Sequence, residues 1–195
     1  AEQERRQEQQ SGSWRFRRRL VLPVGFGIAF LVLAGITVSN SRAADFILNT
    51  QGTGAIDLST ANLTTAGSIQ LNSATTVSGS GNISTGAAKL LTVNPASGTS
   101  TLSGAISGGA LTKSGAGALT LSGTNTYTGG TTLTSGILRA QGAASLNGTG
   151  AIALDGGELQ LASDTSASFG NNVTVGGNAQ ITSDRLTAGA GQTQT

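Results

Sequence analysis

A catalytic reading of this 195-residue chain has few groups to start from. There is no His and no Cys. The usual general base near neutral pH is therefore missing, as are a thiolate nucleophile, a disulfide framework and the commonest zinc ligands. Ser is abundant, but a serine nucleophile needs a base held against it. The candidate bases are Lys89 and Lys113, and the residues three before them are Gly86 and Ala110, so neither forms a Ser-x-x-Lys pair. The carboxylates that come close are Asp155 with Glu158, and Asp164 with Asp184, the latter in "LASDT" and "ITSDR". If their spacing is one structural repeat, the two aspartates stack about 4.8 Å apart and repel. A bound cation would relieve this, and so would solvated turns with a slight offset beside Arg185. "LDGGELQL" at 154–161 lacks the Gly-Gly-x-Gly-x-Asp pattern of calcium-binding nonapeptides. The expectation is no catalytic residue, no metal and no cofactor.

The scaffold for these groups shows in "LTKSGAGALTLSGTNTYTGGTTLTSGILRA", residues 111–140. From Leu111 to Leu133 the odd positions read Leu, Lys, Gly, Gly, Leu, Leu, Gly, Asn, Tyr, Gly, Thr, Leu, while the even positions are Thr, Ser and Ala with one Gly. A flexible linker does not sort residues by parity. A period of two marks extended chain with one buried and one wet face, and Thr suits the wet face.

A longer period overlies it. Gly117-x-Leu119-x-Leu121 recurs at Gly136-x-Leu138-x-Ala140, Gly157-x-Leu159-x-Leu161 and Gly177-x-Ala179-x-Ile181, with Gly79 and Gly98 earlier, leading to Ile83 and Leu102. Repeats of about 20 residues with strand patterning indicate a solenoid, whose units bury their apolar faces only by stacking. Leu119, Leu138, Leu159 and Ala179 are expected in one interior column, within roughly seven rungs of about 20 residues. Large side chains are scarce and Gly numbers 30. A narrow solenoid interior suits that composition. Residues 45–75 are less regular.

The high pI belongs to the leader. Residues 1–43 carry seven Arg against three Glu, net +4, and residues 44–195 carry four basic against six acidic groups, net −2. Nucleic-acid binding thereby loses its main support. "WRFRRRLVLPVGFGIAFLVLAGITVSNSRAADF" has a positive start, an uncharged apolar run from Leu20 to Val38, and small residues at Ser41 and Ala43 that place cleavage before Ala44. That is a signal-peptide pattern. An uncleaved membrane anchor is the alternative, since about 20 apolar residues span a bilayer. Pro23, Gly25 and Gly27 interrupt the run, which favours cleavage. The expected organisation is a disordered extension over 1–13, a signal peptide over 14–43, a solenoid over 44–185 and a truncated or linker end over 186–195.

Residues 111–138 resemble the passenger-associated transport repeat of Gram-negative autotransporters. The residues that carry the resemblance are Leu111, Lys113, Gly115, Gly117, Leu119, Leu121, Gly123, Asn125, Tyr127, Gly129, Thr131, Leu133, Gly136 and Leu138. The resemblance implies an all-β, right-handed parallel β-helix, preceded here by the hydrophobic signal or transmembrane helix. It also implies export to the cell surface by the secretion machinery, and a motif that helps the passenger fold. A translocator barrel, with alternating strands of about ten residues and aromatic girdles, is not encoded in this sequence.

Asn125 and Tyr127 share the parity of the Leu residues. They would be either a ligand-contacting pair or structural, with Asn125 turning a corner onto neighbouring backbone and Tyr127 capping a rung edge with its hydroxyl wet. The structural reading is favoured. Sequons at Asn62, Asn82, Asn147 and Asn172 are expected by chance in so Thr- and Asn-rich a chain. The leading function is a non-enzymatic, surface-displayed passenger stalk or adhesin-like segment. A secreted carbohydrate-active β-helix enzyme and a membrane-anchored periplasmic solenoid are the alternatives.

Overall fold

The computed structural model describes residues 45–59, 61–146 and 149–186, together with the strands Phe30–Val32 and Val38–Asn40. The alternating pattern sets the architecture. Strands of two to six residues end at Gly-, Ser- and Asn-rich corners, and none can bury its apolar side alone. They stack in parallel into a β-solenoid of about six turns. The helical element among the described residues is one short 3-10 turn, Ala143–Leu146.

Three walls enclose the interior. The longest ladder runs through Phe46–Asn49, Ile69–Ser73, Leu90–Pro95, Ala110–Lys113, Thr131–Leu133, Ile152–Leu154 and Val173–Val175. A second wall runs through Phe30–Val32, Ala55–Asp57 and Val77–Ser78, continues by a single bridge from Gly79 to Leu102, and proceeds through Thr99–Leu102, Ala118–Leu121, Ile137–Gln141, Gly157–Ala162 and Ala179–Asp184. The third is a four-stranded ladder of Val38–Asn40, Leu63–Thr65, Ile83–Ser84 and Ile106–Ser107. In the next turn residues 122–130 follow its course without a strand. The Thr126 N–H still donates to the Ile106 carbonyl at 2.8 Å.

Register converts sequence period into columns. Ile69, Leu91, Leu111, Thr131 and Ile152 lie one above another inside the longest wall. Beside them run Leu71, Val93, Lys113, Leu133 and Leu154. Thr92, Thr112 and Thr132 form the matching outer column. The parity holds across 111–133: the odd positions are buried except Gly115 and Gly129, and the even ones are not, apart from Thr120.

The repeat length varies, and the expected alignment slips where it does. Leu119, Leu138 and Leu159 share an interior column. The residue next in register is the half-exposed Ile181, because Ala179 pairs with Gly157. The last turn is two residues longer than the Gly spacing implies. Early in the chain Gly79 sits beside Leu102, and Ile83 stacks with Leu63 and Ile106 on a different wall. There the turns lengthen, as the pairs Phe46–Ile69 and Ile69–Leu91 show.

Within the apolar run expected as a helix, the described pieces are extended. Phe30–Val32 pairs with Ala55–Asp57, and Val38–Asn40 pairs with Leu63–Thr65. Short runs rich in Leu, Ile and Val satisfy an open strand edge as readily as they form a helix. The rest of the leader, including Ser41, Ala43 and Ala44 of the expected cleavage site, lies outside the described residues, as do residues 187–195. No helix among the described residues is long and apolar enough to cross a membrane.

Interior and outer positions of one turn differ sharply in what they tolerate. Leu138 is fully buried and Thr134 is exposed. Leu138→Asp loses about 1.5–3 kcal/mol of side-chain burial and adds the cost of a buried carboxyl. It should lower stability by at least about 3 kcal/mol in urea unfolding, against within about 0.5 kcal/mol for Thr134→Asp. Equal midpoints would contradict the stacking.

Candidate functional site

Among the described residues the interior is mostly apolar, with small buried hydroxyls such as Ser73, Thr85 and Ser100, and its larger polar side chains lie where residues 106–146 pass through it. Lys113, Asn125 and Ser145 are each 0 % exposed, and Tyr127 is 2 % exposed. A buried polar group without a partner costs about 1–3 kcal/mol, so the partners of these side chains define the site.

Lys113 occupies an apolar column between Val93 and Leu133. Its stem fills the space of a Leu, and its ammonium turns to the corner of the rung. There it donates to the carbonyls of Ser114 (2.7 Å), Gly115 (2.8 Å) and Ser135 (3.2 Å). Two acceptors lie in its own turn and one in the next, so the head ties the turns together. The corner depends on Gly136, which has φ +72°. A Cβ there would lie 2.4 Å from the Gly115 carbonyl oxygen and 2.9 Å from the Lys113 Nζ. Desolvation by burial lowers the Lys113 pKa from 10.5 to about 8. The three carbonyls partly offset that loss of water.

Asn125 stands where the third wall loses its strand. Its Oδ1 accepts the Ile106 N–H from the turn before at 2.8 Å. Its Nδ2 donates to the Ser145 carbonyl of the turn after at 2.7 Å, and its own N–H donates to the Ala144 carbonyl at 3.0 Å. The side-chain amide thus splices a backbone ladder that would otherwise stop. Asn is suited to this because it carries a donor and an acceptor without charge.

The Tyr127 hydroxyl is not wet, as a rung-edge cap would be. It is enclosed and shares a 2.7 Å hydrogen bond with Thr131 Oγ1. Burial raises its pKa, with the Thr131 bond opposing. The ring lies within the core beside the Leu columns, and Thr131 turns its hydroxyl inward to meet it.

Smaller splices recur nearer the N-terminus. Asn62 Oδ1 accepts the Asn82 N–H, and Asn82 Oδ1 accepts the Ala105 N–H. Asn49, Asn72 and Asn94 form a side-chain ladder at a corner of the longest wall, with Nδ2 to Oδ1 distances of 2.7 and 3.3 Å. The sequence reading missed this ladder. Its signal was an Asn every 23 and then 22 residues, longer than the Gly step used to align the rungs.

Apart from Lys113, the charged side chains among the described residues are not buried. Asp184 is beside Ala162 in the register, not over Asp164. Arg139 reaches Asp184 at 3.4 Å, and Arg185 reaches Asp164 at 3.8 Å. The repulsion expected of a stacked aspartate pair is thereby removed. Glu158 accepts from the Thr182 hydroxyl and the Gln160 amide, and those bonds lower its pKa. Among the described residues no group of three His, Cys, Asp or Glu side chains is placed to hold a metal ion. Lys89 is exposed. The leader's Ser41, Ala43 and Ala44 lie outside the described residues.

Two measurements test this reading. Asn125→Ala orphans the buried Ile106 N–H and the Ser145 carbonyl. At about 1–3 kcal/mol each, it should cost about 2–6 kcal/mol, where Thr126→Ala on the wet face costs under about 1 kcal/mol. For Lys113 the folded pKa of about 8 lies below the unfolded 10.5. Between those values the unfolded chain binds more protons, so stability rises with pH across the window and is flat below it. The raised Tyr127 pKa opposes this only once a free tyrosine begins to ionise, near pH 10. Unfolding midpoints should climb from pH 8 to 10 in the parent chain and stay level in Lys113→Met.

No curated protein and no solved structure matches the chain. Residues 111–140 match the model of the family described as Passenger-associated-transport-repeat, and that match together with the parallel solenoid around it fits an autotransporter passenger repeat.

Proposed function

We propose that this chain is a passenger segment of an autotransporter, displayed at the surface of a Gram-negative cell as a non-enzymatic rod, a stalk or adhesin-like element. Residues 14–43 direct export and are cut before Ala44, a cut that removes the strands Phe30–Val32 and Val38–Asn40 and leaves Ala55–Asp57 and Leu63–Thr65 as the first strands of their walls. The passenger then crosses the outer membrane through a barrel outside this sequence. The solenoid winds right-handed, the usual hand of parallel crossover connections. Within it, the repeat at 111–138 promotes folding of the emerging chain.

The observation that carries this reading is the match of residues 111–140 to the passenger repeat. The geometry supports a folding role for it. Asn125 bonds to the turns before and after its own and Lys113 sends one bond to the next, so the segment specifies how neighbouring turns register on one another. The outer charges, engaged in Arg139–Asp184 and Arg185–Asp164, support a structural rather than a catalytic surface.

The test uses the intact gene product in its own cell. Protease added outside should remove the passenger, and N-terminal sequencing of the exported form should begin at Ala44. The Lys113→Met/Asn125→Ala double variant should lower the surface-exposed amount at least about tenfold, with degraded material behind the outer membrane. A product retained inside with Ala1 at its terminus, or a double variant displayed like the parent, would overturn the proposal.

A further inference from the structure

Lys113 and Tyr127 find their partners inside the repeat, but Asn125 does not. Asn125 Nδ2 and the Asn125 N–H both end on carbonyls of the next turn, those of Ser145 and Ala144. Those carbonyls belong to Gly142–Leu146, which lies past the matched residues 111–140. This segment differs from the corners before it. It is a 3-10 turn, with Ser145 and Leu146 buried at 0 % and 1 % exposure. Its own bonds hold it rigid: the Ser145 N–H and Oγ both donate to the Gly142 carbonyl, at 3.1 and 2.8 Å, and the Gly142 N–H donates to the Ala162 carbonyl at 2.7 Å. Gly142 has φ +79°. A turn this short leaves carbonyls free that a longer helix would use internally. Here they meet the Asn125 amide.

We infer that Gly142–Leu146 is the clasp of the repeat, a positioning element that holds the Asn125 side chain in place and through it the backbone of Ile106 two turns away. The inference deepens the folding role proposed above and rests on it for its meaning, though not for its test. Without the clasp, Asn125 has nothing to donate to, its rotamer is released, and the Ile106 N–H loses its acceptor. The unit that must be complete before the repeat is closed then runs from Ile106 to Leu146, about two turns, and not from Leu111 to Ala140.

Gly142 offers a clean perturbation. A Cβ there meets nothing within 4 Å, so Gly142→Ala strains the backbone without a clash. Gly142→Asn is the conservative control, because Asn tolerates a positive φ. Amide hydrogen exchange is measured on the purified full chain. In Gly142→Ala the Asn125 and Ile106 amides should exchange at least tenfold faster, while Ile56, whose partner is Thr76, stays at the parent rate. Gly142→Asn should restore both amides to within about threefold of the parent. At Ile106 the Gly142→Ala/Asn125→Ala double variant should exchange no faster than Asn125→Ala alone. Ser145→Ala, which removes the hydroxyl bond of the internal staple without strain, should move the same two amides in the same direction, and it serves if Gly142→Ala does not fold. Faster exchange confined to residues 142–146, or additive effects in the double variant, would overturn the clasp. Export plays no part in this readout. If the amides respond as stated but the passenger is never displayed, the clasp stands and the surface role falls.

Discussion

The whole structure depends on one constraint: each turn is finished only by its neighbours. A strand of three or four residues has no sheet of its own, so its N–H and C=O groups are satisfied above and below or not at all. The same holds for its apolar side chains. Leu119 is covered because Leu138 lies on it, and Leu138 because Leu159 does. The composition follows. Interiors enclosed by three short walls hold Leu, Ile, Val and Ala but little that is larger, and Tyr127 is the largest fully buried side chain among the described residues. At the corners, backbone approaches backbone so closely that Gly is needed, as at Gly136.

Stacking by itself fixes register poorly. Leu-x-Leu fits over Leu-x-Leu with a slip of two residues at little cost in burial, and Thr-rich outer faces do not object. Buried polar groups do object. A two-residue slip at Lys113 takes its ammonium away from the Ser114, Gly115 and Ser135 carbonyls, and one at Asn125 leaves the Ile106 N–H unpaired in the core. A desolvated polar group costs far more when misplaced than an apolar one. In the repeat, register is therefore specified chemically, by buried Lys and Asn, and not by shape alone.

This explains what could and could not be seen in the sequence. Parity was legible from Leu111 to Leu133 because a half-buried strand sorts residues by alternation, and the solenoid was legible because the Gly-x-Leu-x-Leu unit returned. Columns were legible only where turn length is constant. Ala179 for Ile181, and Ile83 beside the Gly79 alignment, failed because turns lengthen at both ends, and extra residues in a corner leave no mark on the strand pattern. Asn125 stood out by parity and Lys113 only as a candidate base and motif position, but the groups both donate to are main-chain carbonyls, and no residue type announces a free carbonyl. The Asn49–Asn72–Asn94 ladder was hidden for the same reason as the slipped columns, its spacing following the longer turns. The inward hydroxyl of Tyr127 needed Thr131, four residues on, to point inward too, which parity allowed and only the packing decided.

The monotony of the chain and its few exceptions are two parts of one design. A surface built from Thr, Ser and Gly can repeat without limit, because every turn presents the next with the same edge. Such an edge also accepts wrong partners, a known hazard of open strands. Placing a buried amine and a buried amide in consecutive stretches of one turn makes that turn unlike any other. Lys113 accepts only a corner with carbonyls at Gly115 and Ser135, and Asn125 only a donor below and an acceptor above. Once those are met, the uniform turns on either side have a single starting register to copy, and copying is what uniform turns do well.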